Sequence, residues 1–184
     1  MTGVVAIAFA ALWGFAEATV FFVVPDVWLT IVTVRFGPRL AFVAAIAAAL
    51  AAAAGGLVML RLSAAFPEAV AQLLDMTPAI SPAMIAETAA AMHSPDWPFA
   101  LLHGSVTGRP YKLYAAGAGP AGIDPLVLAA VTVPARFARL SIAILVAAAL
   151  RALLPARLAP GRLVLVTLAA WAAFYALFWG LMPH

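Results

Sequence analysis

Val131-Thr-Val-Pro-Ala-Arg-Phe-Ala-Arg-Leu140 places two arginines inside an otherwise apolar run from about Leu126 to Leu150. Such a run is long enough to cross a bilayer, which takes roughly 20 residues. Arg136 and Arg139 stand three apart, so a helix presents both on one face. A cation near the bilayer centre costs at least ~2.5 kcal/mol by insertion scales. Two of them at mid-span therefore call for anions, supplied by the chain itself or by a ligand. Further out, the chain holds two acids in apolar surroundings, Glu17 and Asp26, and two further cations, Arg109 and Lys112. These six residues define an expected intramembrane polar site that meets a charged substrate.

The composition fixes the class. Of 184 residues, 67% are hydrophobic and 9% charged, against roughly 45–50% and about 25% in soluble domains. We expect an all-α polytopic membrane protein, folded as a single membrane domain over 1–184. The chain has no cysteine, which excludes disulfides, thiolate metal sites and cysteine nucleophiles. The net charge is +3 and the arginines are scattered, a pattern that offers nothing to nucleic acid. The N-terminal apolar run lacks a basic leader and is interrupted by Glu17, so it is expected to be retained rather than cleaved.

From the first half onward, apolar segments alternate between interrupted and continuous. Val4 to Val24 is long enough to span, but Pro25-Asp26 follows and Val27 to Val34 is too short to cross. A kinked helix or a re-entrant hairpin with Pro25 and Asp26 at its tip would both fit. On one continuous helix Glu17 and Asp26 would lie roughly 180° apart; a break at Pro25 lets both face one cavity. Pro38 to Leu62 is a clear span, rich in alanine, with Gly55-Gly56 near its end, and such small residues let helix backbones approach closely. Ser63 to Trp97 carries Glu68, Asp75, Glu87 and Asp96. In it, Pro67-Glu-Ala-Val-Ala-Gln-Leu-Leu74 sets Val70, Leu73 and Leu74 on one side, so one or two short surface helices are expected. Pro98 to Ile123 is broken at Gly108-Arg109-Pro110, where two half-helices would meet. After the arginine span come Arg151, Arg157 and Arg162, then a last span from about Leu163 to Met182. Its Tyr175 and Trp179 are candidates for the membrane interface.

The order repeats: an interrupted segment with charge at its break, then a full span, twice. Paired interrupted segments are a pointer to inverted-repeat transporters. The expected organisation is a first repeat at 1–62, an extramembrane amphipathic linker at 63–97, a second repeat at 98–150 and a C-terminal span at 151–184. Each repeat would be a re-entrant helical hairpin followed by a transmembrane helix. By the positive-inside rule the arginine-rich turns face the cytoplasm and the acidic linker faces out.

Within the expected membrane layer two acids face four cations, a positive surplus that favours an anionic ligand. Arginine grips phosphate through a planar fork, and half-helix N-termini add positive dipole. Glu17 and Asp26 are also candidates for proton exchange. Tyr111 and Tyr114 flank Lys112 and are candidate cavity residues. Asp124 is expected to cap the helix that begins near Pro125. His93 and His103 lack metal-ligand spacing, and His103 with Ser105 does not make a catalytic set. Walker, dinucleotide and HExxH patterns are absent. No cofactor, no metal and no enzymatic activity are expected.

Gly14-Phe-Ala-Glu-Ala-Thr-Val-Phe-Phe-Val-Val-Pro-Asp-Val-Trp-Leu29 resembles the DedA family (the SNARE-associated, or VTT-domain, membrane proteins), and its YqaA-like branch in particular. Arg109-Pro-Tyr-Lys-Leu-Tyr-Ala-Ala-Gly117 is similar to that family's second-half tip, and Pro134-Ala-Arg-Phe-Ala-Arg139 to its paired-arginine helix. The resemblance runs from about Phe15 to Leu150 and carries over to Glu17, Asp26, Lys112, Arg136 and Arg139. It implies two facing re-entrant hairpins and movement of lipid across the membrane, with bacterial relatives linked to undecaprenyl phosphate and eukaryotic ones to phospholipid scrambling. The resulting expectation is a flippase of the bacterial inner membrane. Arg136, Arg139, Arg109, Lys112, Glu17, Asp26 and Tyr111 would line its substrate path, with protons as a candidate co-substrate. A proton-coupled exporter of small cations and a non-transporting membrane scaffold are the alternatives.

Overall fold

A computed structural model describes residues 2–153 and 159–181. Arg157 and Met182, which the sequence places in the basic turn and at the end of the last span, lie outside the described residues. Among those described there are nine α-helices and no strand. They are α1 (Gly3–Thr19), α2 (Asp26–Phe36), α3 (Pro38–Ala65), α4 (Pro67–Asp75), α5 (Pro82–Met92), α6 (Trp97–Thr107), α7 (Tyr111–Ala118), α8 (Pro125–Leu153) and α9 (Pro160–Leu181).

Local chemistry sets most of these boundaries. Pro38 and Pro125 stand in the first turn of α3 and at the start of α8, where a missing N–H costs nothing. Asp124 Oδ1 accepts from the amides of Leu126 at 2.8 Å and Val127 at 3.1 Å, which is the expected cap. Gly108 closes α6 at φ 92°, a left-handed conformation that glycine adopts without strain. Pro110 then fixes an extended N-cap for α7. The linker forms two helices, and Val70 and Leu74 of α4 are buried as the apolar spacing requires.

The first interruption falls earlier than Pro25. Helix α1 ends at Thr19, Val20 to Pro25 is non-helical, and Asp26 opens α2. Proline at 25 therefore starts the second helix rather than breaking the first. The connector's polar groups are met by side chains. Trp13 Nε1 donates to the Val23 carbonyl at 2.8 Å, Lys112 Nζ to the Phe21 carbonyl at 2.6 Å, and the Val24 amide donates to Tyr175 Oη at 3.2 Å. Irregular backbone survives in an apolar setting when it is satisfied in this way.

Helices α3 and α8 form the centre and run antiparallel. Ala41 to Ala48 share one apolar cluster with Leu140 and Ile144, whereas Ala52, Met59 and Leu60 share the other with Leu128 and Ala135. Helix α1 lies along α3 in the same direction: Gly3 faces Leu40, Gly14 the backbone of Ala48, and Gly55 the segment Phe15 to Ala18. Helix α7 meets the other half of α3, with Tyr111 against Gly56 and Gly119 against Leu60 and Ser63. The short helices cross over: α2 packs on α8 as well as α3, and α7 packs on α3. Helix α6 packs on α8 and α9 on α2. Among the described residues, three helices are long and apolar enough to cross a membrane: α3, α8, and α9 from Gly161 to Leu181. At 1.5 Å per residue, the 11 residues of α2 reach only about 16 Å, half of a ~30 Å hydrocarbon core.

Candidate functional site

Arg139 is the middle residue of α8, fourteen positions from both Pro125 and Leu153. Arg136 lies one turn before it. The two guanidiniums point at the two sides of the Val20–Pro25 connector. Arg136 Nη2 donates to Glu17 Oε2 in the last turn of α1, and Arg139 Nη2 donates to Asp26 Oδ2 at 3.3 Å. Asp26 opens α2, where the helix dipole also favours a negative charge. One face of α8 therefore holds both ends of the connector.

The two pairs differ in access. The Arg136 and Glu17 side chains are 1% and 3% exposed, those of Arg139 and Asp26 18% and 7%. Behind Arg136, the Tyr111 ring lies 5.5 Å from its guanidinium carbon, a cation–π arrangement. Tyr111 Oη bonds Thr132 Oγ1 at 2.9 Å.

A cavity of about 480 Å³ opens beside these pairs. Its charged lining residues are Glu17, Lys112, Arg139 and Arg109, with Gly108 and Pro110 beside Arg109. Phe22, Trp171, Phe174, Tyr175, Phe178 and Trp179 make its apolar wall, and the segment Thr77 to Ile80 covers another side. Lys112 is 98% withdrawn from solvent (2% exposed). Its ammonium donates to the Phe21 carbonyl and has no carboxylate within 4.0 Å among the described residues. An ammonium has three donors, so two remain for a ligand.

Three expectations are corrected here. Glu17 and Asp26 do not share a cavity: Glu17 lines it, while Asp26 sits behind Arg139. Arg136 and Tyr111 are not wall residues, because Glu17 and the packed α7 screen them from the space. Arg109 reaches the cavity edge, but its charge is engaged by Glu87 and its Nη1 donates to Thr88 at 3.4 Å, both in the linker helix α5. Tyr175 Oη accepts from the Val24 amide and Trp179 packs edge-on against Phe22 while remaining exposed, so both line the cavity. The positive surplus consequently resides on Lys112.

Sequence reasoning missed the aromatic wall of α9. Trp171, Phe174, Tyr175 and Phe178 recur at three- and four-residue spacing, a stripe on one helix face. That signal was present, and membrane-interface preference offered a competing account of the same residues. Comparisons with family models, curated proteins and solved structures returned no match. The fold and site define the class: an all-helical chain, among its described residues, with helices fit to span a membrane and a charged, aromatic-walled cavity between them.

Proposed function

We propose that this protein is a transporter of the bacterial inner membrane that moves an anionic, phosphate-headed lipid, undecaprenyl phosphate or a phospholipid, between leaflets. The observation that carries the reading is Lys112: a buried ammonium with no carboxylate partner among the described residues, lining a cavity that six aromatic side chains also line. Such a space matches an amphiphile, with phosphate at one end and hydrocarbon at the other. Lys112 supplies charge and free donors. Arg139, loosely held by Asp26 at 3.3 Å, supplies the rest of its five-donor fork. Arg136 and Glu17 act as a structural pair that holds the connector in place. Where the cycle is proton-coupled, Glu17 is the group positioned for it, as the carboxylate of the cavity wall.

In this reading α1–α2 and α6–α7 are re-entrant hairpins from opposite faces, and the two halves are inverted repeats. The packing supports this. The first helix of each half lies on its own long helix, α1 on α3 and α6 on α8. Each short second helix reaches the long helix of the other half, α7 on α3, and α2 on α8 as well as on its own α3. Two-fold related repeats produce such an exchange. The DedA-like residues Glu17, Asp26, Lys112, Arg136 and Arg139 agree with it, since all five gather around the two tips. A cation exporter fits less well, because three of the four charged wall residues are cations.

The test is lipid flipping in proteoliposomes with a phosphate-headed reporter lipid. The intact chain should accelerate exchange over empty vesicles, and Lys112→Gln should lower the rate at least tenfold, the equivalent of ~1.4 kcal/mol. An unchanged rate in the variant would reject the role of Lys112.

A further inference from the structure

A second cavity, of about 440 Å³, runs between α2, α8 and α9 and is open to the side. Its walls are Thr30 and Val34 of α2, Ala143 to Arg151 of α8, and Leu163 to Phe174 of α9. Nearly all of this is hydrocarbon. Thr30 and Thr167 spend their hydroxyls on the carbonyls of Val27 and Leu163, each at 2.9 Å, and Trp171 Nε1 donates to Thr30 Oγ1 at 2.9 Å. The groove therefore offers an apolar guest no competing polar group along its length.

One end of it is different. Arg151 lines that end. Arg35 stands in the last turn of α2 and Arg162 at the start of α9, so each helix that walls the groove brings an arginine to the same end of the bundle. None of the three has an ion-pair partner among the described residues. The side-chain carboxylates outside the paired site all belong to the linker or to Asp124, at the opposite ends of α3 and α8. The mouth is thus positive with no acid to answer it. Length fits as well: from Ala143 to Arg151, α8 rises about 12 Å, close to the ~15 Å of hydrocarbon in one leaflet.

We infer that this groove is a docking site for an anionic phospholipid of the arginine-bearing leaflet, separate from the Lys112 cavity. The lipid phosphate sits on Arg151, with Arg35 and Arg162 beside it, and one acyl chain fills the groove as far as Trp171. Trp171 and Phe174 line both spaces. A chain docked here therefore backs the aromatic wall of the headgroup cavity and holds α9 against α2, whose contact otherwise rests on few buried side chains, Leu163 being the one buried among the described side chains of α9.

The experiment is native mass spectrometry of the full chain released from vesicles of equal phosphatidylglycerol and phosphatidylcholine with matched chains. The wild-type chain should retain phosphatidylglycerol in preference. Arg151→Gln should cut that retention about fivefold, the factor for one arginine at an anionic surface. Ala170→Trp, an exposed groove residue whose enlargement leaves the interior untouched, should remove it as well. Lys112→Gln should leave the Arg151-dependent part of that retention intact, so failure of the transport reading and failure of this one are distinguishable. Equal retention of the two lipids would overturn the proposal. So would retention that survives both groove variants, or that is lost in Lys112→Gln alone.

Discussion

Glu17 and Arg136 lie 119 positions apart in sequence and form a salt bridge withdrawn from solvent, joining the end of α1 to the middle of α8. Removing one partner of such a pair leaves an uncompensated buried charge, which costs ~3–5 kcal/mol. Glu17→Leu alone is therefore expected to lower the unfolding free energy by that amount. Glu17→Leu with Arg136→Met removes both charges at similar volume and is expected to recover most of it. Equilibrium unfolding of the two variants in detergent micelles checks this. Equal losses in both would mean that the pair is not what joins these helices.

Close backbone packing between α1 and α3 gives a second expectation. A methyl group at Gly14 would collide with the Ala48 carbonyl, a backbone atom that cannot rotate away. Gly14→Ala should destabilise by ~1–3 kcal/mol, the usual cost of overpacking. Gly180→Ala is the control: nothing lies within 4 Å of a methyl there, and alanine in a helix gains roughly 0.5–1 kcal/mol over glycine. Thermal unfolding of the two should move in opposite directions.

Much of this arrangement was legible in the chain. Hydropathy and proline placed α3, α8 and α9, and the Gly108-Arg109-Pro110 break was readable because glycine and proline each act on their own backbone. The mid-helix position of Arg136 and Arg139 gave away the polar site. Which acid met which arginine was not legible, because pairing depends on where Val20 to Pro25 leaves the helix. That stretch contains no breaker before Pro25, and its departure is held by distant side chains, Lys112 and Tyr175. Arg109 misled for a related reason: its partner Glu87 belongs to the linker, and no local signal brings α5 beside the break between α6 and α7.

Arg109 and Glu87 are 35% and 61% exposed at their side chains, so solvent screens the pair. Arg109→Ala should change stability by less than about 1 kcal/mol. Its effect on transport should be smaller than that of Lys112→Gln, and the same vesicles measure both. A loss as large as that of Lys112→Gln would place Arg109 among the groups that hold the headgroup.

Lys112 is the single lysine of the chain, so lysine labelled with ¹⁵N only at Nζ reports its ammonium alone. The most direct measurement is ¹⁵N–³¹P dipolar recoupling by solid-state NMR, on the labelled protein in bilayers containing a phosphate-headed lipid. Bound lipid phosphate should dephase the ammonium signal through phosphorus, as required by a charge-assisted N···O contact of about 2.8 Å. The dephasing should vanish when the phosphate lipid is replaced by a phosphorus-free one. An ammonium that shows no phosphorus coupling at saturating lipid would contradict that contact.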